Sequence, residues 1–254
     1  MPHVSAAQAV ELWERGADRT LSQRAALLAA IALPEASRAQ VEHTGIGRRD
    51  RAILALRDET LGSRMDCFVE CGRCRTRLEF TFEARELLAS EPASDVDAES
   101  YELETDGWRI RYRPPSGADV AEVAARLDGD SARRALLQRC TLAVVHADET
   151  SATSAARAAR FDQLPKPVLD ALESALEAHD PLAKASFSTV CAACGHASDF
   201  RFDIVAYFSS ELFAIAKRLL YEVDVLARIY HWREADVLAM SAVRRRCYVE
   251  SALG

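Results

Sequence analysis

Apolar and polar positions along this chain follow two different periods, and the switches between them divide it into elements. Between residues 5 and 62 the apolar positions Trp13, Leu21, Leu27, Leu28 and Ile31, then Ile53, Leu54, Leu56 and Leu61, fall at helical spacing. Pro34 opens a new segment, Gly45-Ile46-Gly47 breaks the chain and Asp50 is placed to cap, so short helices are expected there. From Arg77 the period drops to two, through Leu78, Phe80 and Phe82, which marks a strand. Residues 101–113 give the clearest hairpin, because Asp106-Gly107 is a strong two-residue turn. Pairing outward from it puts Tyr101, Leu103, Thr105, Trp108, Ile110 and Tyr112 on one face. The other face sets Glu104 against Arg109 and Glu102 against Arg111, opposite charges across the ladder. A sheet with one wet side follows, with Leu103, Trp108 and Ile110 buried, Arg109 and Arg111 in water, and Pro114-Pro115 ending it. Helical spacing returns at about 117–139, with Asp119 near its start, and at about 165–178. The longest helix runs from about 204 to 230. Its stripe of Leu212, Ala216, Leu219, Val223, Leu226 and Tyr230 reads as core or subunit interface. Trp232 and two short helices, about 233–240 and 242–252, close the chain. The acidic stretch Ser90–Ser100 and the small, polar residues 148–162 read as exposed connections.

Two cysteine pairs interrupt this pattern in nearly the same local sequence. Cys71-Gly72-Arg73-Cys74 runs on to Glu79, Phe80 and Phe82; Cys191-Ala192-Ala193-Cys194 runs on to Asp199, Phe200 and Phe202. A duplicated strand–knuckle–strand unit results. Two cysteines two residues apart aim both sulfurs at one ion from a tight turn, and four thiolates complete a tetrahedral zinc site. One pair closing on the other is the simplest way to reach four, with more than a hundred residues between them. A thioredoxin-like redox pair is the rival reading, but such a pair starts a helix, and here a strand follows. Plain core cysteines or a structural disulfide would also account for the pairs. Cys67 and His196 stand close enough in sequence to be replacement ligands, whereas Cys140 and Cys247 sit in apolar surroundings and read as small buried hydrophobes. Gly195 follows Cys194 where a knuckle often needs positive φ. Arg75 holds that place in the first copy, so strain or a different turn is expected there.

Composition narrows the function classes. A chain of 254 residues with 49% apolar residues can bury a real core. Seven cysteines, an odd number, and no secretory signal point to a reducing cytoplasm. No apolar run reaches the roughly 20 residues that span a bilayer, so no membrane partner is expected. The net charge of −7 disfavours a general nucleic-acid binder. No Gly-rich phosphate loop, GxSxG or HExxH is present, and His3, His43, His146, His179, His196 and His231 are scattered. His146 ends an apolar segment and reads as structural. A four-cysteine zinc also leaves no open position for water, so no enzyme is expected. The clusters Arg48-Arg49-Arg51 and Arg244-Arg245-Arg246 read first as helix-surface charge.

Three stretches together resemble a known family. They are the paired CxxC units, Tyr101–Thr105 followed by Trp108–Pro114, and Arg218–Ala227 with Tyr230–Ala239. The pattern is similar to the T4-type baseplate hub assembly chaperones of contractile phage tails, closest to two-knuckle relatives linked to bacterial contractile injection systems. It covers most of residues 10–252. Such relatives usually carry proline after the first cysteine of each knuckle, where this chain has Gly72 and Ala192, and glycine at the position of His231. The resemblance implies a non-enzymatic cytoplasmic factor that binds a baseplate or hub protein. Physically, a partner can shield the open sheet edges of a β-rich hub before assembly.

The expected fold is α+β and mainly helical, with two zinc-knuckle β-hairpin units sharing one four-cysteine zinc site and an additional β-hairpin. Its segments are a helical stretch at 1–62, the first knuckle and hairpin at 63–115, a helical middle at 116–183, and the second knuckle with C-terminal helices at 184–254, packed as one compact domain. The expected metal ligands are Cys71, Cys74, Cys191 and Cys194, with one structural zinc per chain. The second reading of function is a zinc-ribbon regulator that contacts nucleic acid through its arginine clusters.

Overall fold

Three helix starts share one local signal, a Ser or Thr followed three residues later by Gln. Ser5 and Gln8, Thr20 and Gln23, and Ser37 and Gln40 each form a reciprocal capping box ahead of the helices Ala6–Gly16, Leu21–Ala32 and Arg38–His43. The computed structural model describes residues 2–89, 100–124, 129–146, 161–179 and 181–254. They fall into two units, the first made of Met1–Glu35, Ile53–Ser63 and Asp203–Gly254, the second of Ala36–Ala52 and Arg64–Phe202. The helix Ile46–Leu61 carries the boundary between residues 52 and 53. The stretches expected to be exposed connections fall mostly outside the described residues, at 90–99 and 147–160; Phe161, at the end of the second, corrects the expectation, since its large apolar ring is buried in the core at 1% exposure.

The first unit is helical and is organised by the helix Ile204–Tyr230, capped at its start by Asp203, whose carboxylate accepts from the Ala206 N–H at 2.9 Å. The helices Ala6–Gly16, Leu21–Ala32, Glu234–Leu238 and Ala242–Leu253 pack against it. Leu212, Ala216, Leu219 and Leu226 of the expected stripe are buried and form core, while Val223 and Tyr230 are half-buried. Each such leucine contributes roughly 1.5–3 kcal/mol by leaving water. Gly16 permits a close approach, since a Cβ there would stand 3.2 Å from the Phe213 ring. Arg57, 3% exposed, forks onto Glu211 at 2.7 and 3.0 Å and also donates to the Gly62 carbonyl. His231 ends the long helix in the left-handed region at φ 58° and donates its N–H to the Ala227 carbonyl. Glycine would adopt that conformation without the steric cost that His231 carries there.

In the second unit, strands β1 (Arg64–Glu70) and β2 (Arg77–Glu83) form one antiparallel hairpin, and β6 (Ser186–Val190) and β7 (Ala197–Arg201) form another. Between them in sequence, β3 (Tyr101–Thr105), β4 (Trp108–Tyr112) and β5 (Thr141–His146) make a three-stranded sheet in the order β3-β4-β5. The β3–β4 register is the one expected: Glu104 faces Arg109, Glu102 faces Arg111, and Thr105 faces Trp108. Asp106 and Gly107 take φ 48° and 76°, as a two-residue turn of this hand requires. Arg109 and Arg111 are exposed, Ile110 and Tyr112 fully buried, and Leu103 and Trp108 half-buried. Strand β5 was not expected. It leaves the helix Gly129–Cys140 without a loop, so its β-branched pair Val144-Val145 is its one local signal.

The core of this sheet joins Ile110, Tyr112 and Val144 to Phe161, Leu164, Val168 and Leu172, the last two from the helix Lys166–His179. Tyr112 meets His179 Nδ1 at 2.9 Å, and burial pushes its phenol up to about 12. His146 packs edge-on against Trp108 at 4.9 Å. Behind the hairpin, Asp119 is 2% exposed and accepts two bonds from Arg113, at 2.6 and 3.0 Å, and one from Arg139 at 3.0 Å. The Ser116 N–H and hydroxyl complete its shell. Burial alone would raise this carboxyl, but the bonds from Arg113 and Ser116 outweigh it and hold the group well below the usual carboxylate range.

Candidate metal centre

Each CxxC sits in the turn of its hairpin, and the two turns are built alike. In the first, Cys71 N–H donates to the Thr76 carbonyl and Arg75 N–H to the Cys71 carbonyl, both at 2.9 Å. In the second, Cys191 N–H donates to the His196 carbonyl at 2.9 Å and Gly195 N–H to the Cys191 carbonyl at 2.8 Å. Arg75 at φ 63° and Gly195 at φ 69° share one left-handed conformation, so the first knuckle does not turn differently; it holds a side chain where glycine is favoured. That conformation costs a non-glycine residue roughly 1–2 kcal/mol. The Arg75–Glu70 ion pair is largely exposed and returns little of this. Arg75→Gly is therefore expected to raise stability by roughly 0.5–1 kcal/mol, read as a higher denaturant midpoint, while Gly195→Ala lowers it.

The two turns bring four sulfurs together. Cys71 Sγ lies 3.7 Å from Cys194 Sγ, Cys74 Sγ lies 3.6 Å from Cys191 Sγ, and all four are within 4.8 Å of one another. A tetrahedron with metal–sulfur bonds of about 2.3 Å has an edge of about 3.8 Å, so these sulfurs stand at the separation a tetrahedral four-sulfur ion needs. They are far beyond the roughly 2.05 Å of a disulfide, and neither pair begins a helix, which removes the geometry of a thioredoxin-like centre. Cys71 and Cys191 are buried, Cys194 is half-buried and Cys74 is exposed. Cys67 and His196 are not members of the cluster; Cys67 faces inward opposite Phe80 on β2.

The thiols of the cluster are shifted in opposite directions. Backbone N–H groups of Cys74 and Arg73 pull the Cys71 thiol down, and the Thr76 hydroxyl and N–H pull that of Cys74 down to about 6. At Cys194 a backbone bond at His196 favours the thiolate. Side-chain hydrogen bonds with Cys74, Cys191 and Cys71, together with desolvation, outweigh it and push the thiol up to about 12. Four thiols this close divide their protons unequally, and a bound divalent cation deprotonates coordinating thiols outright. Such an ion would take all four sulfurs as ligands and leave no protein-side position open.

Beneath the sulfurs the hairpins also meet through phenylalanines. Phe82 packs on Phe187 with ring centroids 4.6 Å apart and edge-on to Phe202 at 5.3 Å, and Phe80 lies 5.5 Å from Phe187. Phe187 does not stand out in the sequence, because the first copy has Cys67 at the corresponding strand position. The remaining cysteines divide. Cys140 is fully buried and its thiol is pushed up to about 12 by desolvation, as expected of a core residue. Cys247, also expected to be buried, is exposed, because the helix Ala242–Leu253 packs inward through Arg245 and turns Cys247 to solvent.

The arginine clusters are partly tied up. Arg49 pairs with Asp50 at 2.6 Å and Arg51 donates to the Leu88 carbonyl. Arg245 is 5% exposed and bonds Glu222 and the Met240 carbonyl, while Arg244 lies over the Tyr248 ring. No helix among the described residues is long and apolar enough to cross a membrane.

Comparison with known proteins gives one family. The model for the T4 bacteriophage base plate protein matches residues 32–208, which include both hairpins, all four clustered cysteines and the three-stranded sheet. No curated protein and no solved structure matches the chain. With well over half of its length inside that match, this chain belongs to the T4 bacteriophage base plate protein family.

Proposed function

We propose that this protein is a non-enzymatic assembly factor for the baseplate hub of a contractile tail or injection system. It works in the cytoplasm of the producing cell by binding a baseplate or hub protein, and one structural zinc on Cys71, Cys74, Cys191 and Cys194 holds its two knuckle hairpins together. The observation that carries the reading is the closed four-sulfur cluster inside a baseplate-family match. Four thiolates satisfy zinc completely, so the ion's role is to fix protein surface and not to activate water. A nucleic-acid regulator would need free arginines, whereas Arg49, Arg51 and Arg245 are engaged with the protein's own groups. Deleting the gene is expected to leave the other tail proteins expressed while assembled contractile particles fall at least tenfold by electron microscopy. Normal particle numbers in the deletion strain would refute the assembly role, and salt-sensitive retention of DNA by the pure protein would favour the nucleic-acid reading.

A further inference from the structure

The two hairpins are duplicates in register as well as in sequence, so each serves as an internal control for the other. Cys67 faces Phe80 as Phe187 faces Phe200, and Phe68 faces Glu79 as Ser188 faces Asp199. Their inner faces share the phenylalanine layer. Their outer faces differ sharply. On the second hairpin Ser188 takes the place of Phe68 and donates to Asp199 at 2.6 Å, and the exposed apolar residue Val190 stands at the turn end, where the first hairpin has Glu70. On the first, Phe68 stands 64% exposed, with the Arg77 guanidinium 4.1 Å over its ring. Around it lie the ion pairs Arg64–Asp66, Glu70–Arg75 and Arg77–Glu79, at 2.8–3.0 Å. Ser188 shows that a knuckle hairpin of this design needs no aromatic at that position. A large apolar ring in water, rimmed by satisfied polar pairs, is the composition of an interface anchor.

We propose that the outer face of the first knuckle hairpin is the docking surface for the baseplate partner, with Phe68 as the anchor that enters an apolar pocket on that protein. The inference rests on the reading of this chain as a protein-binding assembly factor. Two properties of the face choose the occupant. Its arginines and carboxylates pair with one another, so it carries no basic footprint for nucleic acid. Two seven-residue strands span roughly 23 by 10 Å, or about 230 Å². That is far below the about 800 Å² per side of a stable dimer, so a second copy would not be held by this face alone. A partner that supplies a pocket for one ring, and releases it when assembly is complete, fits both properties.

The test uses the full-length protein in cells that make the particle. With a photo-crosslinking benzophenone amino acid at position 68, ultraviolet light is expected to give an adduct with a baseplate subunit identified by mass spectrometry, and none with the probe at position 188. Phe68→Ser is expected to lower particle yield at least tenfold in the complemented deletion strain, with zinc content and thermal midpoint unchanged. Val190→Ser, altering an equally exposed residue of the duplicate hairpin, should keep yield within twofold. An adduct with a second copy of this chain, no adduct at 68, or loss of zinc or stability in Phe68→Ser would overturn the proposal. A deletion strain with normal yield would instead reject the assembly role, and the position-68 adduct would still decide the surface.

Discussion

Serine in place of Cys71, Cys74, Cys191 or Cys194 is expected to cost several kcal/mol and to remove most of the soluble, folded protein. The free energy of a structural zinc, about 10–16 kcal/mol for small zinc modules, is free energy of folding because the unfolded chain has no preformed site. A chain of this size has a net stability of about 5–15 kcal/mol, so losing even a third of the metal's contribution is decisive. The two hairpins would keep their phenylalanine contacts, which limits the loss locally but does not replace the metal. Cys67→Ser and Cys247→Ser are the controls, since neither sulfur is in the cluster; each should cost under about 1 kcal/mol. Solubility, zinc content and the urea midpoint of the six variants measure this directly. A Cys191→Ser protein that unfolds at the wild-type midpoint would contradict the structural role of the site.

Asp119→Ala is the second large effect expected, a loss of about 1–3 kcal/mol, because it removes the acceptor of the buried Ser116 N–H and hydroxyl and of Arg113, while Arg113 and Arg139 stay partly solvated and Arg139 keeps Glu122 at 2.9 Å. The carboxylate ties the chain after β4 to two helices, Gly117–Ala124 and Gly129–Cys140, so its removal loosens the support of the whole three-stranded sheet. The sign of the pH effect follows from the direction of its shift. The folded-state pKa lies below the unfolded value of about 3.9, so the contribution is complete above that value and disappears as pH falls through the acid range. Wild-type stability should therefore drop more steeply than that of Asp119→Asn between about pH 4 and pH 2. If the thiolates hold a metal, its release by acid would affect both proteins alike and so cancel in that difference. Parallel urea midpoints for the two proteins across this range would show that the ion cluster contributes little.

How much of this was legible in the sequence depends on the range of the interaction. The Asp106-Gly107 hairpin and the long C-terminal helix rest on local spacing, and the two CxxC units, though 117–123 positions apart, are linked by their duplicated local sequence; the structure follows all three closely. The Asp119 cluster was visible only as a capping residue, because its partner Arg139 stands 20 positions away among many arginines. Arg57 and Glu211 are 154 positions apart, and nothing in either neighbourhood marks them as a pair. Strand β5 was lost to the helix before it, since the chain changes period at Cys140 and Thr141 without glycine or proline. The left-handed Arg75 became intelligible through its duplicate, where Gly195 shows what the turn prefers. Cys247 illustrates the converse failure: apolar neighbours in sequence did not make a buried face, because Arg245 is the residue its helix turns inward.

One metal ion on four thiolates, two from each hairpin, is expected to tie the two knuckle hairpins of the second unit together. Elemental analysis of protein purified without chelator, combined with zinc-edge X-ray absorption, tests it most directly. About one zinc per chain with four sulfur neighbours near 2.3 Å is the expected result. Metal-free, reduced and fully folded protein, or zinc bound through nitrogen or oxygen ligands, would contradict it.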